Sequence, residues 1–209
     1  LQLSPAEQDS LTPWLQATLR TPLPLSTGAG VMLAEDLACQ ATASPLVLSH
    51  IQSSQLWAEM AFNLPAGQVS SGQLDALIQQ HVFPGQARPA LQATVMQGML
   101  TGFMDLVVHH DGRYWVLDYK SNKLADYNDA SLQTAVLDKR YEVQYVLYAL
   151  ALHRLLKQRL RDYTYEQHMG GAVYVFLRGV SQANAGVHAM RPSFALIDQL
   201  DQLFAKVAL

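Results

Sequence analysis

The chain has a single cysteine, Cys39, among 209 residues. A lone cysteine cannot close an internal disulfide, and no Cys/His spacing of a zinc site accompanies it. A reducing interior is the compartment this usage suits. No apolar run reaches the roughly 18–20 residues needed to cross a bilayer, and the N-terminal stretch lacks a signal-peptide pattern. Positive charge is scarce as well: 14 Lys and Arg stand against 17 Asp and Glu, a formal net charge of −3. That balance argues against a free-standing, high-affinity nucleic-acid binder, and leaves open an enzyme that receives nucleic acid from a partner. P-loop, Rossmann and serine-triad signatures are missing, so no ATP site is expected in this stretch. Internal repeats and low-complexity tracts are also missing.

Half of the residues are hydrophobic, enough for a sizeable core and one domain, or one domain with an appended segment. The opening "LQLSPAEQDSLTPWLQATL" starts on Leu1 and reads like the inside of a domain, so a piece of a longer polypeptide is expected. Ser4 as cap with Pro5 and Glu7 behind it predicts a helix to about Arg20. Residues 21–30 form a Pro/Gly/Ser break, and 31–40 fit a short helix or a strand equally. Strands are expected near 56–64, 101–109, 114–121 and 171–177. Helices are expected over 70–82, over 129–137 from an Asp cap, over 141–163, and over 193–207. "SQANAGVHAMRP" reads as loop. The longest helix carries Arg154, Lys157, Arg159 and Arg161 at its C-terminal end, where cations suit the macrodipole. A solvated helix end is the first reading of these four; contact with nucleic acid or a partner is the second.

Within "TGFMDLVVHHDGRYWVLDYKSNK" (101–123), two apolar strands flank Asp111-Gly112, a favoured two-residue hairpin turn. That turn sets His110 opposite Arg113, and further along the same register Asp105 opposite Asp118. Opposed residues share a face, and Lys120, two residues beyond Asp118, shares it too. Strands with Leu106, Val107, Val108, Val116 and Leu117 on both faces suggest a central hairpin, an unusual place for two acids and an ammonium. The bland reading is a solvent-facing cross-strand charge cluster. Otherwise two carboxylates this close need a shared proton, with one pKa raised, or a divalent cation, which favours oxygen ligands.

"GFMDLVV", "WVLDYKSN" and "QYVLY", together with "GGAVYVFLRGV", resemble the RecB-family nuclease domain of the PD-(D/E)XK superfamily. The carriers are GxxD (Gly102 to Asp105), D-Y-K (Asp118, Tyr119, Lys120) and QxxxY (Gln144, Tyr148), over roughly residues 56–180. The resemblance implies an α/β fold with a restriction-endonuclease-like core, a mixed central β-sheet flanked by helices. It divides the chain into an N-terminal helical part (1–55), the nuclease core (56–180) and a C-terminal loop and helix (181–209). It implies catalytic Asp105, Asp118 and Lys120. Mg²⁺, with Mn²⁺ as a substitute, would be held by Asp105, Asp118 and the Tyr119 backbone carbonyl. Lys120 would orient the attacking water. Gln144 and Tyr148, one helical turn apart, would brace the site or touch DNA, and Glu59 would be a supporting acid. The implied activity is that of an exodeoxyribonuclease in double-strand-break repair and recombination, in a bacterial cytoplasm. Implied partners are single strands fed by an ATP-driven motor outside this chain, RecC- and RecD-like subunits, and RecA.

One departure stands out. The family carries a histidine metal ligand in a G-x-x-x-H-type motif upstream, which this chain lacks. His50 and His81 read as loop or helix-end residues, and His109 and His110 as solvent-exposed residues flanking the turn. His153, His168 and His188 follow the core motifs. The expectation is that the chain begins after the ligand helix. The competing functions are a non-catalytic DNA- or subunit-binding module on this fold, a piece inactive for want of that histidine, and a metal-free hydrolase using Asp105 and Asp118 as a dyad.

Overall fold

The structure is a computed structural model whose described residues are 5–25, 44–180 and 186–205, with the backbone alone over 5–10. The Ser4 cap, the 31–40 segment and Cys39 lie outside the described residues.

Five strands form one sheet: β1 (Leu56–Ser70), β2 (Val95–His110), β3 (Arg113–Lys120), β4 (Met169–Phe176) and β5 (Val187–Met190), in that spatial order. β1, β2 and β3 are an antiparallel meander, β4 runs parallel to β3, and β5 returns antiparallel. This is the expected mixed sheet, with three differences. β1 runs through Pro65 to Ser70, which an edge strand tolerates because a missing N–H there breaks no ladder on the open side. β2 begins six residues earlier than the apolar pattern suggests, because it pairs with that extension down to Ser70↔Val95. β5 was expected as loop. Four residues with a histidine among them show no periodicity, and only pairing with β4, from Ala172↔Met190 to Val175↔Val187, makes them a strand.

The helices are α1 (Pro5–Arg20), α2 (Ser71–His81), α3 (Asp129–Asp138), α4 (Tyr141–Arg159), α5 (Tyr165–His168) and α6 (Phe194–Ala205). The cap of α3 is Asn128, whose Oδ1 accepts from Ser131 N–H at 3.0 Å; Asp129, expected as the cap, sits in the first turn. α4 stops at Arg159, short of residue 163. Leu160 turns extended, and the Tyr163 hydroxyl folds back to His153 Nδ1 at 2.8 Å.

Two hydrophobic clusters sandwich the sheet. The larger joins Met104, Val107, Val116 and Ala172 to α2, α3, α4 and α6. The smaller joins Leu106, Val108, Trp115, Leu117, Val173 and Val175 to Leu23, Leu25, Leu46 and Leu48. Leu23 and Leu46 clamp that N-terminal cover by exchanging both backbone hydrogen bonds, at 2.8 and 3.0 Å. β4 is thus buried along its whole length, and so it reads as a continuous apolar run without alternation. A parallel β3–β4 pair needs a long crossover. The chain between them supplies α3, α4 and α5, which lays α4 across the sheet beside the end of β3.

Candidate active site

The turn behaves as its sequence demands. Asp111 and Gly112 both take positive φ, 49° and 74°, as a type I′ turn requires. His110 pairs with Arg113, and the register runs on to Leu106↔Leu117. There the β2–β3 ladder ends, one step short of Asp105 and Asp118. β3 continues against β4 alone, with Asp118 beside Tyr174 and Lys120 beside Phe176. The two acids therefore stand where two strands part.

Asp105 is not placed by alternation alone. The β1–β2 ladder skips the Glu59–Asp105 position between Ala58↔Leu106 and Met60↔Met104, and Glu59 there has φ 49°. The pleat changes phase at this interruption: Met104 and Val107 face the larger core, while Leu106 and Val108 face the smaller. Asp105 is exposed, and its Oδ2 accepts from the Tyr119 backbone N–H at 3.1 Å. That bond ties the two strands together beyond their last ladder pair.

Asp118 and Lys120 are only 3% and 9% exposed. A solvated charge cluster does not describe them, since burying an ion pair costs several kcal/mol per ion and seldom raises stability. Such a pair on an otherwise apolar strand marks a candidate functional site. The Lys120 Nζ lies 2.5 Å from Asp118 Oδ1 and donates to Gln144 Oε1 at 2.8 Å. The amide of Gln144 donates from Nε2 to the Tyr148 hydroxyl at 2.8 Å. The Tyr148 hydroxyl then closes the ring on Asp118 Oδ2, at a long 3.4 Å. The donor order is self-consistent. Gln144 Oε1 accepts from both Lys120 and the Tyr174 hydroxyl, the latter at 3.0 Å, so Nε2 is the edge left for Tyr148.

Charge follows geometry. Burial pushes the Asp118 carboxyl up, Lys120 pulls it back, and the nearby Asp105 adds to the rise. Burial and the Asp118 charge push Tyr148 up to about 12, so its hydroxyl keeps its proton and donates. Two rings the sequence reading missed complete the surroundings of Lys120. Its Nζ lies 4.2 Å from the ring centroid of Tyr141 and 4.6 Å from that of Tyr174. Tyr141 is three residues before Gln144 and shares its helix face, a signal present in the sequence. Tyr174 has no such signal, because it reaches the site through the parallel register with Asp118. Gly102, which opens the GxxD motif, lies under the Phe62 ring, and a Cβ there would be 2.7 Å from ring carbons. Phe62 in turn meets Tyr148 edge to face at 5.7 Å.

The remaining candidates fall outside this ring. Glu59 is exposed, across the ladder gap from Asp105, with no hydrogen bond or ion pair to another described residue. None of the seven histidines bonds to Asp105, Asp118 or Lys120. His109 and His110 are half-buried, contrary to expectation. His109 stacks on Tyr114 at 4.5 Å, and His110 Nε2 meets the Ser44 carbonyl at 3.1 Å. Arg154 is paired with Asp201 at 2.5 Å, whereas Lys157, Arg159 and Arg161 are exposed.

A mixed sheet whose central hairpin splays at two carboxylates, with a lysine two residues after the second, defines a nuclease scaffold. The chain belongs to the PD-(D/E)XK nuclease superfamily, whose model matches residues 12–209. It is similar to the RecBCD enzyme subunit RecB of Escherichia coli (strain K12), 39% identical over 206 residues and 95% of this chain. To the same subunit of Haemophilus influenzae it is 37% identical over 209 residues and 98% of this chain. To that of Mycobacterium tuberculosis (strain ATCC 25618 / H37Rv) it is 40% identical over 121 residues and 52% of this chain. The chain spans 16% of the length of the first two relatives and 11% of the third. No helix of the described residues is long and apolar enough to cross a membrane.

Proposed function

We propose that this chain is the nuclease domain of a RecB-type subunit and hydrolyses DNA phosphodiester bonds with Mg²⁺, for which Mn²⁺ can substitute. The observation that carries this reading is the closed ring of Asp118, Lys120, Gln144 and Tyr148 beside Asp105. The donor set suits a hard cation. It offers the carboxylates of Asp105 and Asp118 and, between Asp118 and Lys120, the Tyr119 carbonyl, all oxygen. The rise of the Asp118 carboxyl by burial and by Asp105 marks a place that favours added positive charge. Among the described residues no group of three or more His, Cys, Asp or Glu converges. Mg²⁺ is commonly held by one or two carboxylates with water in its other positions.

When bound, the cation supplies Lewis-acid stabilisation of the phosphate's developing charge. The chain's own residues do the rest. Lys120 spends two of its three N–H donors on Asp118 and Gln144, and the third is left to hold the attacking water or a phosphate oxygen. Gln144 and Tyr148 hold the lysine and the carboxylate in register. The rings of Tyr141 and Tyr174 favour the charged ammonium at that spot.

In the longer protein, a motor outside this chain would use ATP to feed single strands to the site. RecC- and RecD-like subunits would be its partners, with RecA loading downstream, in double-strand-break repair in the bacterial cytoplasm. A domain served this way needs no basic surface, in keeping with the net charge of −3. The test is digestion and unwinding of linear duplex DNA in Mg²⁺ and ATP by the full-length polypeptide with its partners, wild type beside Asp118→Ala. Loss of digestion with unwinding retained is expected. Digestion unchanged by the substitution would overturn the reading.

A further inference from the structure

Gln144 and Tyr148 have a second side. With the other side they wall a recess of about 380 Å³, between α4 and the paired strands β1 and β2, bordered also by Phe62, Leu100, Phe103 and Leu147. Its size is at the low end for small-molecule pockets: room for one flat heterocycle, and far too little for a duplex. Its wall is almost wholly apolar, and Phe103 is left 64% exposed beside it. Leu100, Val143 and Leu147 line it half-buried, with their remaining surface open to it. Tyr148 joins the two places: its hydroxyl is on Asp118 and its ring meets Phe62 edge to face. The recess is therefore one tyrosine's reach from the carboxylate, much as a base is one sugar away from its phosphate.

We infer that this recess takes one unpaired nucleobase of the strand being cut, stacked on Phe103, with the adjoining phosphate held at Asp118 and Lys120. The inference rests on the nuclease reading and adds to it a subsite: the single strand is held by stacking of one unpaired base. A base paired in a duplex is stacked on its neighbours and cannot enter. Stacking on an aromatic side chain tolerates every base, because each has a π-face. The recess thus holds a strand in place without imposing sequence preference, which suits an enzyme that must digest whatever arrives. Its polar wall is Gln144, Tyr148 and Arg140; the first two are committed to the ring, and Arg140 is committed to Asp75, Glu142 and the Pro89 carbonyl. That leaves little to read a base edge, in agreement with sequence tolerance.

The experiment uses the full-length polypeptide with its partner subunits and end-labelled single-stranded oligonucleotides in Mg²⁺, each with one abasic position. Wild type is expected to cut the phosphate beside the abasic position on the order of tenfold more slowly than the same phosphate in the intact strand. Phe103→Ala should slow cutting of the intact strand by a similar factor and lose the abasic effect. Phe103→Trp should restore both. Leu147→Trp, which fills the recess, should reproduce the defect with Phe103 in place. Phe103 is exposed, so its truncation leaves folding intact, which unchanged resistance of this domain to limited proteolysis in the same preparation verifies. Cutting indifferent to the abasic position, or an abasic effect undiminished in Phe103→Ala, would overturn this inference and assign the recess to a contact within the longer protein. No cutting of any strand by wild type would remove the nuclease reading, and this inference with it.

Discussion

Lys120 and Gln144 meet across 24 positions of sequence, with Nζ donating to Oε1 at 2.8 Å. This bond couples the strand that carries the acids to the helix that covers them. Without it, the ammonium would keep Asp118 and the two ring faces but lose its tie to α4, and Gln144 would be held only by the Tyr174 and Tyr148 hydroxyls. Lys120→Met should cut digestion by the full-length protein at least about a hundredfold, the scale of losing one preorganised electrostatic donor. Lys120→Arg should not rescue it. A planar guanidinium fork cannot replace a compact ammonium between rings at 4.2 and 4.6 Å. Rate measurements on both variants, beside limited proteolysis of this domain as the control for folding, check this.

Tyr174 contributes a ring and a hydroxyl, and the two separate experimentally. The hydroxyl is 2.9 Å from the Tyr141 carbonyl and 3.0 Å from Gln144 Oε1, and its one proton serves both acceptors. Tyr174→Phe keeps the ring under Lys120 and should cost about 1 kcal/mol of stability with digestion reduced less than tenfold. Tyr174→Leu also removes the ring face and should lower digestion further than Tyr174→Phe. Denaturant titration and digestion rates on the pair of variants provide the comparison.

A buried ionic network pins the start of α4. Arg140 pairs with Asp75 of α2, and its Nε is 2.6 Å from Glu142 Oε1. Arg88 Nη1 stands 3.6 Å from the same Glu142 oxygen. Burial pushes the Asp75 carboxyl up, and hydrogen bonds from Arg140, Gln79 and the Leu91 backbone together with the Arg140 charge more than offset it, so its pKa is lowered. Arg140→Ala should destabilise by about 3–5 kcal/mol, because buried carboxylates lose their partner. A lowered carboxylate pKa contributes stability above the unfolded value, 3.8, that is lost as pH falls below it. The gap between wild type and variant should therefore narrow in acid, as urea titrations at neutral pH and below pH 3.8 would register.

His188 predicts a second acid sensitivity of opposite origin. It is buried on β5 against Phe83 and Tyr145, at 6.1 and 6.5 Å between centroids. Burial pushes its pKa down from 6.5 to about 4. The unfolded chain then binds this proton before the native one does. Stability from this group is complete above pH 6.5 and falls as pH drops toward about 4, by about 3 kcal/mol in total. His188→Phe should flatten that part of the stability–pH curve, which thermal melts across the interval would follow.

Much of this architecture was legible in advance because it is local. Asp111-Gly112 dictates a type I′ turn, and the turn dictates the register as far as Leu106↔Leu117, which carries Asp105 and Asp118 to the point where the strands part. The turn residues and the apolar runs beside them suffice for that. The 141–159 helix announced itself by having no glycine or proline, and the Gln144–Tyr148 spacing followed from its period. Glu59 was legible only as a strand acid; the phase change that leaves it across a ladder gap from Asp105 has no local signature.

By itself, then, the sequence determined the hairpin, its register, the helix above it and the set of groups that could meet. Tertiary structure decided which of them do meet and in what surroundings. The parallel β3–β4 pairing brings Tyr174 beside Asp118 across more than fifty residues, and the crossover lays Gln144 and Tyr148 over Lys120. The N-terminal segment covers the opposite face, and β5 exists only because β4 offers it an edge. The reason is physical. Turn chemistry and hydrophobic period act over a few neighbouring residues, whereas strand order, burial and the raised pKa of Asp118 arise from the packing of segments distant along the chain.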